Sequence, residues 1–303
     1  MAFLLNAVSG IDTVVPIDTH SLRSRFADRA AWGRFLEPLR EVRSRRYDIA
    51  IDFQGLVKTA LLTRISGSSC RVGFSRELVR EPPAHWFYQR TLPKPDTPVH
   101  IARLNLMLAQ QAGAVDAGLR VSLRVSEPDS AAIDAFLFRE QLEHFVVLNP
   151  GGGWPTKRWS PDRYGLLAAK IQAALQLKVV ITTGPGEEHL FRGIATNCPE
   201  LPPVQLEAPF LRLIPLFRRA RLVVGGDTGP LHLACALGTP VVGIFGPTAP
   251  ARNGPWSERD EVVVRHLPCS FCNGRSCPTA NECMDISVEE VFAAVVKRLE
   301  RGP

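Results

Sequence analysis

The sequence predicts an α/β protein of two Rossmann-like domains, each built on a parallel sheet. Three observations carry the prediction. Short apolar runs alternate with helix-period segments twice along the chain, glycine-rich turns follow several of those runs, and 303 residues are enough for two cores. Hydrophobic residues make up 45% of the chain and charged residues 22%, the balance of a globular protein.

In the first half, Val14–Ile17 reads as a strand and residues 32–45 as a helix, with Phe35, Leu36, Leu39 and Val42 at helical spacing. Ile49–Phe53 is a second strand and residues 56–65 a helix. Val72–Phe74 is a third strand, and residues 101–112 form the next helix. The composition turns polar at Ser126–Pro128, ahead of a helix over residues 131–142, so the domain boundary is placed between residues 130 and 131.

The second half restarts with the strand Phe145–Asn149. A helix over Pro161–Leu175 follows, with Ser160 at its N-cap and proline at its first position. Lys178–Thr182 is a strand before the turn Gly184-Pro185-Gly186. Leu222–Val224 is an apolar run that Gly225 and Gly226 break, with Asp227 and Thr228 where N-cap residues belong. Leu231, Ala234 and Cys235 mark the buried face of a helix closed by Gly238 and Pro240; a strand and the turn F-G-P-T come next. Ser287 and Glu290 form a capping box for the last helix.

The 36 basic and 30 acidic residues leave a net charge of +6, which suits an anionic partner. The cations are scattered, and no helix-turn-helix or zinc-finger spacing occurs, so nucleic acid is not expected. The densest basic segment, Arg40–Arg46, reads as the solvated side of a helix. No run is long and apolar enough for a bilayer, and the first residues lack a basic-then-apolar signal, so a cytoplasmic protein is expected.

Several segments carry candidate chemistry. A strand ending in glycines and an N-capped helix presents unpaired N–H groups at the positive end of a helix dipole, a cradle for phosphate. His232, in that helix's first turn, faces the same anion. The alternative is an ordinary βαβ unit whose glycines serve only the turn. Asn149–Trp159, NPGGGWPTKRW, is a second such loop: Gly152 and Gly153 allow close backbone approach, and Lys157 supplies a positive charge. The alternative there is a solvated flexible loop. In a third such loop, after the strand Lys178–Thr182, Glu187 and Glu188 either meet a ribose diol or decorate a helix's first turn. Cys269, Cys272, Cys277 and Cys283 form C-x2-C-x4-C-x5-C, spacing that can hold a structural zinc; free thiols and oxidised pairs stay open.

The block D-T-G-P-L-H-L-A-C-A-L-G-T-P, followed by a strand and F-G-P-T, resembles the donor motif of the ADP-heptose:lipopolysaccharide heptosyltransferases, glycosyltransferase family 9. The resemblance runs from about residue 10 to the end of the chain. It implies a GT-B fold, with a truncated acceptor-binding domain at 1–130 and a donor-binding domain at 131–303 carrying the C-terminal helix. It further implies transfer of heptose from ADP-heptose to Kdo-lipid A with inversion, without a metal at the reacting centre. The chain would be a monomer at the cytoplasmic, anionic face of the inner membrane. Lys157 would contact the donor diphosphate with the amides around Thr228 and Gly229, Glu188 would hold ribose, and Asp227 and His232 would shape the phosphate loop. Ile51–Ala60 and the segment from Arg80 to Arg90 look like those of family members that act on Kdo-lipid A, which makes Lys58 and Arg80 acceptor-binding candidates. The family's N-terminal strand and Gly-Asp turn, whose aspartate is the proposed general base, have no counterpart upstream of Asp12. A misassigned start, a truncated product or a substitute base such as Asp52 would each account for that. Other donors or acceptors within the family, and a non-catalytic nucleotide-sugar-binding protein, are the alternative functions.

Overall fold

The computed structural model describes residues 2–17, 29–116, 118–119 and 121–302. The chain divides into two compact units, Met1–Leu119 and Arg120–Pro303.

The first unit carries a parallel sheet of three strands among the described residues: β1 (Ile49–Ile51), β2 (Cys70–Phe74) and β3 (Arg90–Leu92), in that order. Helices α1 (Arg29–Ser44), α2 (Val57–Ile65) and α3 (Ile101–Gln111) accompany it. Leu92, Val72, Phe74 and Leu108 are buried together with Ala60 and Tyr88. The strand expected at Val14–Ile17 does not form. That segment is irregular and joins no ladder among the described residues, and Pro16 removes one of the amides a ladder needs. The sequence reading also missed β3, in which only Leu92 is buried, so no alternation betrays it.

In the second unit, six parallel strands lie in the order β6-β5-β4-β7-β8-β9. They are β4 (Phe145–Asn149), β5 (Lys178–Thr183), β6 (Val204–Glu207), β7 (Leu222–Gly226), β8 (Val241–Phe245) and β9 (Glu261–Val264). This is the doubly wound order, with connections running one way from β4 and the other way from β7. Every residue of β4, β7 and β8 is buried, as strands covered on both faces must be. Helices α4 (Glu127–Arg139), α5 (Pro161–Leu175), α6 (Glu188–Thr196), α7 (Leu213–Arg219), α8 (Gly229–Leu237) and α9 (Val288–Glu300) belong to this unit. Helix α4 starts earlier than expected, because Ser126 Oγ accepts the Asp129 amide and caps it. Arg212 Nε holds Asp129 at 3.0 Å, so α4 packs wholly within the second unit and the division falls ahead of it.

Two further points position the loops above the sheet. The glycines expected to break β7 are part of it: Gly225 pairs with both Asn149 and Gly243, and Gly226 with Ile244. A Cβ on Gly226 would stand 2.9 Å from the Lys157 carbonyl oxygen, so the bare backbone is what lets the Lys157 loop lie against the strand end. Trp159, fully buried, donates from Nε1 to the Ile286 carbonyl at 3.0 Å and packs edge-on to Tyr164. That contact pins the same loop to the segment leading into α9, whose Ser287–Glu290 capping box forms as read.

Candidate functional site

The ends of β4, β5 and β7 meet where the strand order reverses, the place at which open α/β sheets bind ligands. Asn149 joins them. Its Nδ2 donates to Thr182 Oγ1 at 2.9 Å, and its Oδ1 accepts from Thr228 Oγ1 at 3.4 Å. A cavity of ≈ 520 Å³ opens above it. One wall is polar and largely main chain: Gly152, Gly153, Thr228 and Gly229, at the N-terminal end of α8. An apolar part of the lining is made by Pro209, Phe210 and Leu213, with the Phe210 ring against Gly229. Thr228 is the N-cap of α8 and Pro230 stands in its first turn, so the amides of that turn lack helical partners and turn outward.

Beside this cradle, Lys157 Nζ sits 2.7 Å from Asp227 Oδ2 and 3.4 Å from the Asp227 carbonyl oxygen. The lysine side chain is 15% exposed and the aspartate 5%. His232 Nε2 donates to Asp227 Oδ1 at 2.9 Å; the carboxylate only accepts, which fixes the proton on that nitrogen. Burial alone would raise the Asp227 pKa, but hydrogen bonds from His232 and Lys157, with the Lys157 charge, hold it well below the usual carboxylate range. With both oxygens engaged and its side chain 5% exposed, Asp227 holds Lys157 and His232 in place. Lys157, Asp227 and His232 stand outside the cavity lining, and the ammonium has two of its three donors on Asp227. Lys157 also lies 4.3 Å from the centre of the Trp154 ring.

Arg158, the second of the two cations ahead of Ser160, lines the cavity, and its Nε donates to the Gly152 carbonyl at 2.8 Å. Its place after Lys157 in K-R-W was the available signal. Of the two glutamates, Glu187 reaches the cavity, with Oε2 accepting the Gly184 amide at 2.9 Å. Glu188, chosen from the sequence, is outside the lining and turned back onto the Gly186 amide at 3.2 Å. The apolar wall gave no motif, because Pro209, Phe210 and Leu213 read only as ordinary apolar residues.

In the first unit, Lys58 and Arg80 are both exposed. The Arg80 and Glu81 amides donate to the Gly55 carbonyl, and Glu81 Oε2 accepts the Val57 amide at 2.7 Å, so the loops bearing the two cations are locked together. Asp52, the alternative base, sits inside a buried hydrogen-bond network. It is 4% exposed, and its carboxylate already accepts from the Gln54 and Gly55 amides, Thr59 Oγ1 and Tyr88 Oη. Burial, and then the bond to Asp52, push the Tyr88 phenol far up.

Cys269, Cys272, Cys277 and Cys283 line one small cavity, and all four are free thiols. As the side chains stand, no three His, Cys, Asp or Glu among the described residues are grouped to hold a metal ion.

Residues 36–282 match the profile of glycosyltransferase family 9 (heptosyltransferase). The chain belongs to glycosyltransferase family 9. Among curated family members, lipopolysaccharide heptosyltransferase 1 of Pseudomonas aeruginosa is 32% identical over 257 residues, 81% of this chain and 66% of that protein. The match thus spans slightly under two thirds of this relative's length. The Escherichia coli K12 enzyme of the same name is 26% identical over 273 residues, 85% of this chain and 78% of its own. A family 9 glycosyltransferase structure from Veillonella parvula superposes with a TM-score of 0.79 at 21% identity, covering 99% of this chain and 86% of that one. The E. coli heptosyltransferase WaaC, solved with ADP, gives 0.74 at 19% identity, covering 98% and 87%. These likenesses show the GT-B type of α/β fold. No helix among the described residues is long and apolar enough to cross a membrane.

Proposed function

We propose that this chain transfers heptose from ADP-heptose to Kdo-lipid A in building the lipopolysaccharide inner core, by a single displacement with inversion. The observation that carries the reading is the cradle itself: a main-chain wall at a helix N-terminus with Arg158 in its lining, and Lys157 paired to Asp227 in the loop that forms it. A nucleoside diphosphate fits it, with phosphates on Gly152, Gly153, Thr228 and Gly229 and the base against Phe210 and Leu213. The relatives' names and the WaaC complex with ADP support adenosine diphosphate as the nucleotide. As the sugar–phosphate bond breaks and the acceptor oxygen bonds to the same carbon from the opposite face, negative charge gathers on the departing ADP. Lys157, Arg158 and the first-turn amides of α8 offset it where it develops. These cations supply the charge that a metal would otherwise bring to the diphosphate, so none is needed there. The acceptor proton leaves to a general base. Lys58 and Arg80 would hold the acidic acceptor, and an excess charge of +6 favours work at the anionic inner-membrane surface.

Calorimetry of the purified chain against ADP, UDP and ADP-heptose, followed by mass spectrometry of Kdo-lipid A incubated with ADP-heptose, tests this. The expected result is binding of ADP and ADP-heptose in preference to UDP, with addition of one heptose. Preference for UDP overturns the donor assignment. Donor binding with no transfer, here and in a chain extended upstream, would leave a nucleotide-sugar-binding protein.

A further inference from the structure

We propose that Cys269, Cys272, Cys277 and Cys283 form a tetrathiolate site for zinc(II), and that the bound ion braces the Lys157 loop. All four thiols border a single small gap, and no other part of the described structure brings so many soft ligands together. The backbone around them is shaped as a ligand cage is. The Gly274 amide donates to Cys272 Sγ at 3.4 Å, and Thr279 Oγ1 stands 3.5 Å from Cys277 Sγ, the kind of support that orients a metal-bound sulfur. Phe271, Asn273, Ala280 and Asn281 all hold positive φ, four left-handed non-glycine residues within one loop. Each costs free energy that something must over-determine. The Phe271 and Asn273 amides tie the loop to the carbonyls of Gly246 and Pro247, so its frame is fixed before any ion arrives. The thiols ring the gap without meeting in it, and a tetrahedral zinc ion, with sulfur at about 2.3 Å, would have to draw them together. Binding releases the thiol protons to solvent, and no oxidant or reductant is involved.

The link to the donor cradle is direct. Thr156, adjacent to Lys157 and buried, donates from Oγ1 to the Gly274 carbonyl at 2.8 Å. Trp154 carries Lys157 over its ring at 4.3 Å and Arg275 of the cysteine loop at 4.8 Å. A loop locked by an ion therefore holds Thr156 and Trp154, and a slack one releases them.

The test is metal analysis of the chain purified after growth with zinc, beside Cys272→Ser, Cys277→Ser and a Cys70→Ser control in the other unit. About one zinc per chain is expected in the native protein and the control, and a loss of most of it in the two loop variants. Cobalt(II) exchanged into the native chain should give the intense visible bands of thiolate coordination. Removing the ion with a chelator should speed amide exchange over residues 151–158 by about tenfold, reversed on adding zinc. A native chain that stays metal-free after incubation with zinc, or loop variants that keep their zinc, overturns the site. Unchanged exchange on chelation overturns the bracing. None of these readouts uses a nucleotide, so they stand apart from the identity of the donor.

Discussion

Replacing Asp227 by asparagine isolates the ion pair that aims Lys157. At 2.7 Å and an effective dielectric of about 20, the gross attraction is about 6 kcal/mol, most of it offset by the desolvation of both ions. Taking away the negative partner leaves an ammonium that is 15% exposed with no compensating charge, which costs about 3–5 kcal/mol when such a pair is broken. The amide retains some hydrogen bonding, so the lower end of that range is expected. Urea unfolding at neutral pH, followed by tryptophan fluorescence, measures it. The double variant Asp227→Asn, Lys157→Met buries no charge and should recover all but about 1 kcal/mol of the loss. Acidification gives a second reading. The folded Asp227 pKa lies below the unfolded one, so its contribution is complete above the ordinary aspartate value of about 3.9 and is lost as pH falls toward the folded value. The gap between wild type and Asp227→Asn should therefore narrow from that point downward. A single-variant cost below about 1 kcal/mol, or a double variant no more stable than the single, refutes the pair as the device that holds Lys157.

Three further outcomes follow from the geometry. Gly226→Ala puts a carbon 2.9 Å from the Lys157 carbonyl oxygen, where about 3.3–3.6 Å is normal, so the loop must shift. Calorimetry should show ADP binding weakened about tenfold, at a stability cost of about 1–3 kcal/mol. Glu187→Ala should weaken ADP binding by about 0.5–1.5 kcal/mol while Glu188→Ala leaves it unchanged; the reverse pattern would remove Glu187 from the site. Tyr88→Phe deprives Asp52 of a buried donor and should cost about 1–3 kcal/mol in urea unfolding, with ADP affinity intact because the cavity lies in the other unit.

The second unit was far more legible in the sequence than the first. β4, α5, β5 and α8 stood out because strands buried on both faces read as unbroken apolar runs and the helix ends carry proline, glycine and capping residues. β6, α7 and β9 were not read. β6 and β9 are short and part-buried, and α7 is apolar nearly all round, so none shows a clean period. Lys157, Thr228 and Gly229 could be chosen because glycines and cations cluster after strands. The choice between Glu187 and Glu188 depends on which way the first turn of α6 faces, which spacing does not encode. Gly225 and Gly226 misled for a related reason. Glycine marks both a strand's end and a strand whose neighbour comes too close for a side chain, and only the ladder partners distinguish the two.

A cradle walled by main-chain amides has a consequence for anyone surveying it by mutation. Alanine scanning subtracts side chains, and much of this wall has none to subtract, so such a scan would report it as tolerant even where, on the proposed function, it holds the diphosphate. Sequence can drift across relatives without altering what the wall offers. An inhibitor that imitates the diphosphate would accordingly fail to discriminate among them. Selectivity would have to be sought in the apolar lining, where Pro209, Phe210 and Leu213 present surfaces that a single substitution can reshape.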